Sequence, residues 1–248
     1  MVDGIDSFRE AFKGYEDCYT VIGGAACDIL MDEADAEFRA TKDIDMILLL
    51  EDRYKEFASV FWEYIKSGKY KCGWKNSEKL HFYRFTEPIP GYPVMIELFS
   101  RKPDYHLEVE QGIIPIHIDD DTSSLSAILL NDDFYDFMLE GRETINGISV
   151  LKSEYIIPFK MYAWLDLRRR KSIGEHVNER DLKKHKYDVF RLLQITNIDN
   201  PIHATGVVRD AVEKFVEVIT DEKLPLIQLG LPFDADEGIR LLKQLYGV

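Results

Sequence analysis

Two aspartates begin an apolar run of the chain, and their spacing limits how the run can fold. The run is DIDMILLL, from Asp43 to Leu50, and every position after Asp43 except Asp45 is apolar. A short run of this kind predicts a buried strand. Side chains two positions apart on a strand point to the same face, so Asp43 and Asp45 lie side by side while Ile44 and Met46 face the core.

Two carboxylates this close repel each other, and burial makes the repulsion stronger. A cation between Asp43 and Asp45 removes the conflict, and oxygen ligands suit Mg²⁺ or Mn²⁺, ions that also bind substrate phosphates. The alternative is a strand end that faces solvent and binds nothing. A third acid, Glu97, lies in the otherwise apolar segment VMIELFS. It is either a charge on an edge strand or the carboxylate that completes a metal site for two ions.

A glycine pair precedes these acids. The segment VIGG predicts a short strand that ends in Gly23 and Gly24 and leads into a helix over 25–34. Glycines let backbone N–H groups approach a phosphate closely, and the first turn of a helix favours anions. A Gly-Gly pair alone is more often only a turn. Its place before the Asp43–Asp45 strand and the Glu97 strand gives it more weight.

The spacing of apolar residues along the rest of the chain predicts an α+β protein. We expect a mixed β-sheet flanked by helices, of the nucleotidyltransferase type described below, in residues 1–151 and an all-helical domain in residues 152–248. In the first part we predict helices at 5–17, 52–68 and 123–131, strands at 18–22, 80–85, 93–100 and 112–118, and two strands joined at a turn within 134–151. In the second part four segments carry the 3.6-residue period. We expect Pro158 to start or kink the first of those helices.

Composition narrows the classes of function. The net charge of −14 over 248 residues argues against unspecific duplex binding. Basic runs at 168–171 and 180–186 leave room for a local basic groove or for a solvated helix surface. No apolar run approaches the roughly 20 residues that span a bilayer, so we expect no membrane association. The three cysteines form no CxxC pair, and we expect reduced thiols in a cytoplasmic protein.

The order of the motifs resembles the nucleotidyltransferase fold of the DNA polymerase beta superfamily. In that superfamily a glycine motif opens a helix, a pair of acids one residue apart follows, and a third acid lies on a later strand. The resemblance covers about residues 18–100. It implies two divalent ions, held by Asp43, Asp45 and Glu97, that bridge a nucleoside triphosphate. One departure is the separation of Gly24 from Asp43 by residues 25–42, which is longer than in many members.

The second half of the chain resembles AbiEii-type nucleotidyltransferases, the toxin halves of abortive-infection toxin–antitoxin pairs. The resemblance lies in IIPFKMYAWLDLRRR (156–170) and ERDLKKHKYDVFRLL (179–193). It implies a catalytic role for Lys160 and a nucleotide-binding motif between Asp181 and Asp188 that includes Lys184, without deciding which Asp is equivalent. The segment FRATKDID is also similar to the family and adds Arg39, Thr41 and Lys42 as nucleotide-binding residues. We assign Trp164 to the core rather than to base stacking.

The predicted activity is a Mg²⁺-dependent transfer of a nucleotidyl group from an NTP to a hydroxyl of an RNA end, a protein or a small molecule. A toxin role would imply a cognate antitoxin as partner. The alternative is a catalytically inactive NTP-binding regulatory module of the same fold. A metal-dependent nuclease is disfavoured, because it needs a lysine two residues after the strand acid and position 99 is Phe.

Overall fold

The computed structural model describes residues 2–49, 53–76, 81–100 and 131–248. The chain divides into two compact units. The first unit comprises Met1–Ser126 and Arg142–Leu151, and the second comprises Ala127–Gly141 and Lys152–Val248. The strand predicted at 112–118 and the helix predicted at 123–131 fall outside the described residues, except for Asn131.

The first unit is built on one seven-stranded mixed sheet, in the order β3-β4-β5-β2-β1-β7-β6. Its strands are β1 Tyr19–Ile22, β2 Asp43–Leu48, β3 Lys71–Asn76, β4 His81–Thr86, β5 Met95–Ser100, β6 Arg142–Ile145 and β7 Ile148–Leu151. Its helices are α1 Ile5–Ala11, α2 Gly23–Glu33 and α3 Tyr54–Ser67. The central strand β2 pairs antiparallel with β1 and parallel with β5. The mixed sheet flanked by helices that the sequence predicts is therefore confirmed.

An aromatic cluster joins α1 and α3 to one face of the sheet. Phe8 of α1 and Phe12, its C-cap residue, contact the ring of Tyr19 on β1. Phe12 also stacks on Phe57 of α3 with ring centroids 5.5 Å apart. All four side chains are fully buried. Because each large aromatic ring removes much apolar surface from water, this layer supplies a large share of the packing energy of the first unit. The side chains that alternate with Tyr19 point to the opposite face of the sheet.

Two elements differ in kind from the sequence prediction, and helix α1, predicted to run to residue 17, ends at Ala11. Strand β3 was not predicted, because KCGWKN has neither an apolar run nor a clear alternation. Residues 134–140, predicted as a strand, belong instead to a helix, α4 Asp132–Glu140. The rest of the segment 134–151 forms the hairpin β6–β7, two strands joined at a turn as predicted. The side chain of Asn131 accepts a hydrogen bond from the N–H of Phe134 and so caps α4. The aromatic content of DDFYDFMLE favoured a strand, but this cap and the helical spacing of its buried residues prevail.

The second unit is helical. After α4 it contains α5 Ser153–Ser172, α6 Glu179–Leu193, α7 Gly206–Ile219, a 3₁₀ turn Ile227–Leu229 and α8 Ala235–Tyr246. Its core includes an edge-to-face contact between Trp164 of α5 and Phe215 of α7, with ring centroids 5.1 Å apart. Trp164 is only 2% exposed, so its assignment to the core is confirmed.

Pro158 lies inside α5 rather than at its start, five residues after Ser153. A proline has no N–H, so the carbonyl of Glu154 loses its usual partner four residues on. The hydroxyl of Tyr246, near the end of α8, donates a hydrogen bond of 2.6 Å to this carbonyl. Burial raises the pKa of Tyr246 well above its usual value, so the hydroxyl stays protonated and able to donate.

Removing this hydroxyl by Tyr246→Phe should lower the free energy of unfolding by about 1–2 kcal/mol, because a partly buried carbonyl loses its donor. Chemical denaturation of the full chain measures the change. In a Pro158→Ala background residue 158 regains an N–H, so the same Tyr246→Phe substitution should cost clearly less. An equal cost in both backgrounds would show that Tyr246 does not compensate for the proline.

Candidate active site

One row of residues across the sheet carries the functional side chains. The register pairs Arg84 of β4 with Glu97 of β5, and Glu97 with Asp45 of β2. Asp45 is in turn paired with Ile22, the last residue of β1. Side chains of directly paired residues lie on the same face, about 5 Å apart at their Cβ atoms. Arg84, Glu97 and Asp45 are therefore neighbours on three adjacent strands; we call these three residues the charged row.

Asp43 lies on the same face as the charged row, two positions before Asp45, and is paired with Met95. Ile44 and Met46 point to the opposite face and are fully buried, as the sequence predicts. Asp43 and Asp45 are half-buried at the start of β2, whereas Glu97 is only 5% exposed. The three acids therefore occupy neighbouring positions on one face: the alternation of β2 predicts this for Asp43 and Asp45, and the pairing of β2 with β5 adds Glu97.

The charged row borders the glycine turn. Helix α2 begins at Gly23 itself, two residues before the predicted start. Gly23 has φ +68°, and a Cβ atom there would lie 2.0 Å from Oδ2 of Asp45. Both observations require glycine at this position, since an L side chain would be strained and would overlap the carboxylate. Within α2, neither a side-chain cap nor an acid in the first turn satisfies the N-terminal N–H groups.

Two predicted nucleotide-binding residues also reach the turn. A Cβ atom on Gly24 would lie 2.7 Å from Oγ1 of Thr41 and 3.5 Å from Nη2 of Arg39. The 35–42 segment, which has no regular secondary structure, thus folds back so that Thr41 and Arg39 stand beside the start of α2. Lys42 is exposed. The longer separation of Gly24 from Asp43 therefore does not keep the glycines from the acids.

Arg84 is the residue that the sequence analysis missed. Its Nε donates to Oε1 of Glu97 at 2.7 Å, and its Nη2 lies 2.6 Å from the same oxygen. A signal for it was present in the sequence. Arg84 is a single cation in the largely apolar strand HFYRFT, and the strand after the next turn, MIELFS, contains a single acid. Within the described ranges, no three His, Cys, Asp or Glu side chains are grouped so that they could hold a metal ion as they stand.

Lys160 takes part in a buried ion pair of the second unit. Its Nζ donates to Oδ2 of Asp188 at 3.2 Å, and Nη1 of Arg191 lies 3.6 Å from the other oxygen. Lys160 and Asp188 are 4% and 0% exposed. Of the acids that the sequence left open between 181 and 188, Asp188 is the one that contacts the lysine. Asp181 and Lys184 are both half-exposed on α6.

Replacing Lys160 with Met should lower the free energy of unfolding by about 3–5 kcal/mol, because it leaves the Asp188 carboxylate buried with a weaker partner. The double replacement Lys160→Met with Asp188→Leu removes both charges and should recover most of that loss. Chemical denaturation measures all three proteins. If Lys160→Met cost less than about 1 kcal/mol, the pair would not be structural.

The basic run at 168–171 is neutralised within its own unit. Arg169 lies 2.9 Å from Asp166 and Arg170 lies 2.6 Å from Glu175, while Arg168 pairs with Glu222 and Lys171 pairs with Glu179. Every cation of the run thus has an acidic partner. The solvated helix surface, one of the two interpretations open from sequence, accounts for the run better than a basic groove does.

The three cysteines are buried and form no disulfide. Burial raises the pKa of Cys18 and that of Cys72 to about 12, so neither is a thiolate near neutral pH. No helix in the described part of the chain combines the length and the apolar character needed to cross a membrane.

Comparisons with known proteins give structural likenesses only. No protein-family model matches the chain, and no curated protein matches it in sequence. A nucleotidyltransferase-like protein of Paracoccidioides brasiliensis is 14% identical with a TM-score of 0.42, over 90% of this chain and 84% of that chain. JHP933 of Helicobacter pylori is 15% identical with a TM-score of 0.41, over 98% and 88%. A further H. pylori protein described as a nucleotidyltransferase has 14% identity, a TM-score of 0.40 and coverage of 98% and 91%. The AbiEii-type assignment stays a prediction.

Proposed function

We propose that the chain is a nucleotidyltransferase that moves a nucleotidyl group from an NTP to an acceptor hydroxyl. The observation that carries the proposal is the register that sets Glu97 beside Asp45, directly at the turn where Gly23 opens α2. The carboxylates and the start of α2, which has no side-chain cap and no acid in its own first turn, suit groups of opposite charge. The first can hold a cation and the second can hold phosphate, so a metal–triphosphate complex satisfies both.

The residues present fit a divalent ion that arrives with its nucleotide. Mg²⁺ is usually bound through one or two carboxylates together with substrate phosphates, and Asp43 and Asp45 provide two carboxylates on one face. We propose these two residues as the ligands. When bound, such an ion would neutralise charge on the triphosphate and favour attack at phosphorus. Mn²⁺ would serve in the same way.

The triphosphate would lie at the start of α2. We propose that the backbone N–H groups of Gly23 and Gly24 bind its terminal phosphates, helped by the hydroxyl of Thr41 and the guanidinium of Arg39. Exposed Lys42 would add a positive charge nearby. The acceptor oxygen attacks the α-phosphorus, the bond from that phosphorus to the bridging oxygen breaks, and pyrophosphate leaves. Glu97 is the proposed base for the acceptor proton.

The proposed catalytic role of Lys160 and the proposed nucleotide-binding roles of Asp181, Lys184 and Asp188 rest on the family resemblance. The ion pair of Lys160 with Asp188 supplies a structural reason for these two residues, so their loss should act on folding as well as on turnover. Turnover per folded molecule separates the two effects.

A second candidate is an NTP-binding regulatory module without turnover. The observation that favours it is the ion pair of Glu97 with Arg84, which engages Oε1 of the carboxylate that would serve as the third metal ligand. This module would bind NTP and Mg²⁺ but release no pyrophosphate. An enzyme would do both.

Incubation of the protein with each of the four α-³²P-labelled NTPs, Mg²⁺ and a cell lysate tests the proposal. Release of pyrophosphate with label in one acceptor class supports transfer and names the acceptor as RNA, protein or small molecule. The paired charges at 168–171 weaken the case for RNA, and we propose an acceptor with a small footprint. Nucleotide binding without label in any fraction would support the regulatory module. A cytoplasmic toxin role would further require that a partner protein suppress the labelling.

A further inference from the structure

We infer that Arg84 takes the place of a second metal ion in the charged row, so that the chain binds one divalent ion with its nucleotide instead of two. The inference rests on the proposed function and deepens it. Arg84 is assigned as a positioning residue, which acts through Glu97 rather than on the substrate.

The inference is based on the geometry of the ion pair between Arg84 and Glu97. Both Nε and Nη2 of Arg84 approach a single oxygen, Oε1 of Glu97, at 2.7 and 2.6 Å. The Glu97 side chain is 7% exposed and that of Arg84 is 26% exposed, so water screens this pair less than it screens a surface pair. On the far side of β4 the paired residue is Gly73, which has no side chain to compete for the guanidinium.

The charges of the row explain why a cation is needed there. Glu97 and Asp45 are directly paired on adjacent strands, where like charges destabilise a sheet. A guanidinium on the Glu97 side offsets this repulsion permanently, whereas a metal ion would do so only when bound. Oε1 already accepts two charge-assisted contacts from Arg84, so the occupied oxygen and the adjacent positive charge both disfavour a divalent ion at this carboxylate.

Arg84 and the divalent ion are expected to act on different carboxylates. Asp43 and Asp45 lie away from Arg84, on the side of the row that borders Gly23, and remain the ligands for the ion that arrives with the triphosphate. Arg84 keeps the Glu97 carboxylate fixed next to Asp45. Removing Arg84 should therefore open a second ion site at Glu97 and Asp45.

Electron paramagnetic resonance measures how many Mn²⁺ ions the 248-residue chain binds with the α,β-methylene analogue of each of the four NTPs, in which the bond to be broken is blocked. We expect about one tightly bound ion for the natural chain and about two for Arg84→Met and Arg84→Gln. Arg84→Lys keeps a cation and should stay at about one. The matched control is Lys71→Met, which removes a positive charge from the neighbouring strand by breaking the exposed pair of Lys71 with Glu87. It should also stay at about one.

Two results would overturn the inference while leaving the proposed function in place. One is binding of two ions by the natural chain, and the other is binding of one ion by both Arg84→Met and Arg84→Gln. Circular dichroism confirms which variants are folded, and the Gln variant, which keeps a hydrogen-bond donor, covers misfolding of the Met variant. If the natural chain bound no Mn²⁺ and no nucleotide, the proposed function itself would fail, and the inference with it.

Discussion

Replacing Asp45 with Asn should lower NTP turnover by at least about 10³-fold, which corresponds to about 4 kcal/mol of transition-state stabilisation. Asn has nearly the same shape as Asp, so the contact with the glycine turn is kept while the charge is lost. The expected effect therefore falls on turnover and only weakly on folding. Pyrophosphate release at saturating NTP measures it.

The matched control for this substitution is Asp6→Asn. Asp6 belongs to the same unit, but its side chain is 83% exposed and pairs with Arg9 at the surface. The control should leave turnover within about twofold, since exposed pairs contribute little. Near-normal turnover in Asp45→Asn, or an equal loss in Asp6→Asn, would remove Asp45 from the site.

Replacing Gly23 with Ala should lower the free energy of unfolding by about 3 kcal/mol and reduce turnover nearly as much as Asp45→Asn does. Two costs add. The φ of +68° disfavours an L side chain, and the new methyl group would lie 2.0 Å from the Asp45 carboxylate unless that group moved. Thermal or chemical unfolding and pyrophosphate release on the same preparation measure both effects.

Gly14→Ala separates these costs. Gly14 has φ +84°, yet a Cβ atom there would have nothing within 4 Å. It should therefore show only the backbone cost, about 1–2 kcal/mol, with unchanged turnover per folded molecule. If Gly23→Ala matched Gly14→Ala in both measurements, the close approach of Gly23 to Asp45 would contribute neither to stability nor to turnover.

The part of the site that lies on one strand could be predicted from the sequence. Alternation on β2 fixes the shared face of Asp43 and Asp45, because the two-residue period is a property of the strand itself. The uncommon position of Glu97 in an apolar strand indicated that it could be the third carboxylate beside Asp43 and Asp45. Its actual partner depends on which strands pair and in what register, and a local pattern does not contain that information.

Arg84 and the ion pair of Asp188 also could not be predicted from a local sequence pattern. Arg84 became part of the site only through the pairing of β4 with β5, two strands separated by a proline-rich turn. Between Asp181 and Asp188 the spacing allowed several choices, and packing of α6 against α5 selects Asp188. In α4, by contrast, local propensity pointed to a strand, and the Asn131 cap with helical burial prevailed.

A crystal structure of the chain with Mn²⁺ and the α,β-methylene analogue of the NTP that it binds, with anomalous scattering recorded for manganese, tests the proposed metal site. We expect an anomalous peak within about 2.5 Å of carboxylate oxygens of both Asp43 and Asp45, with the triphosphate against the N–H groups of Gly23 and Gly24. A bound nucleotide whose manganese lies away from Asp43 and Asp45 would contradict it.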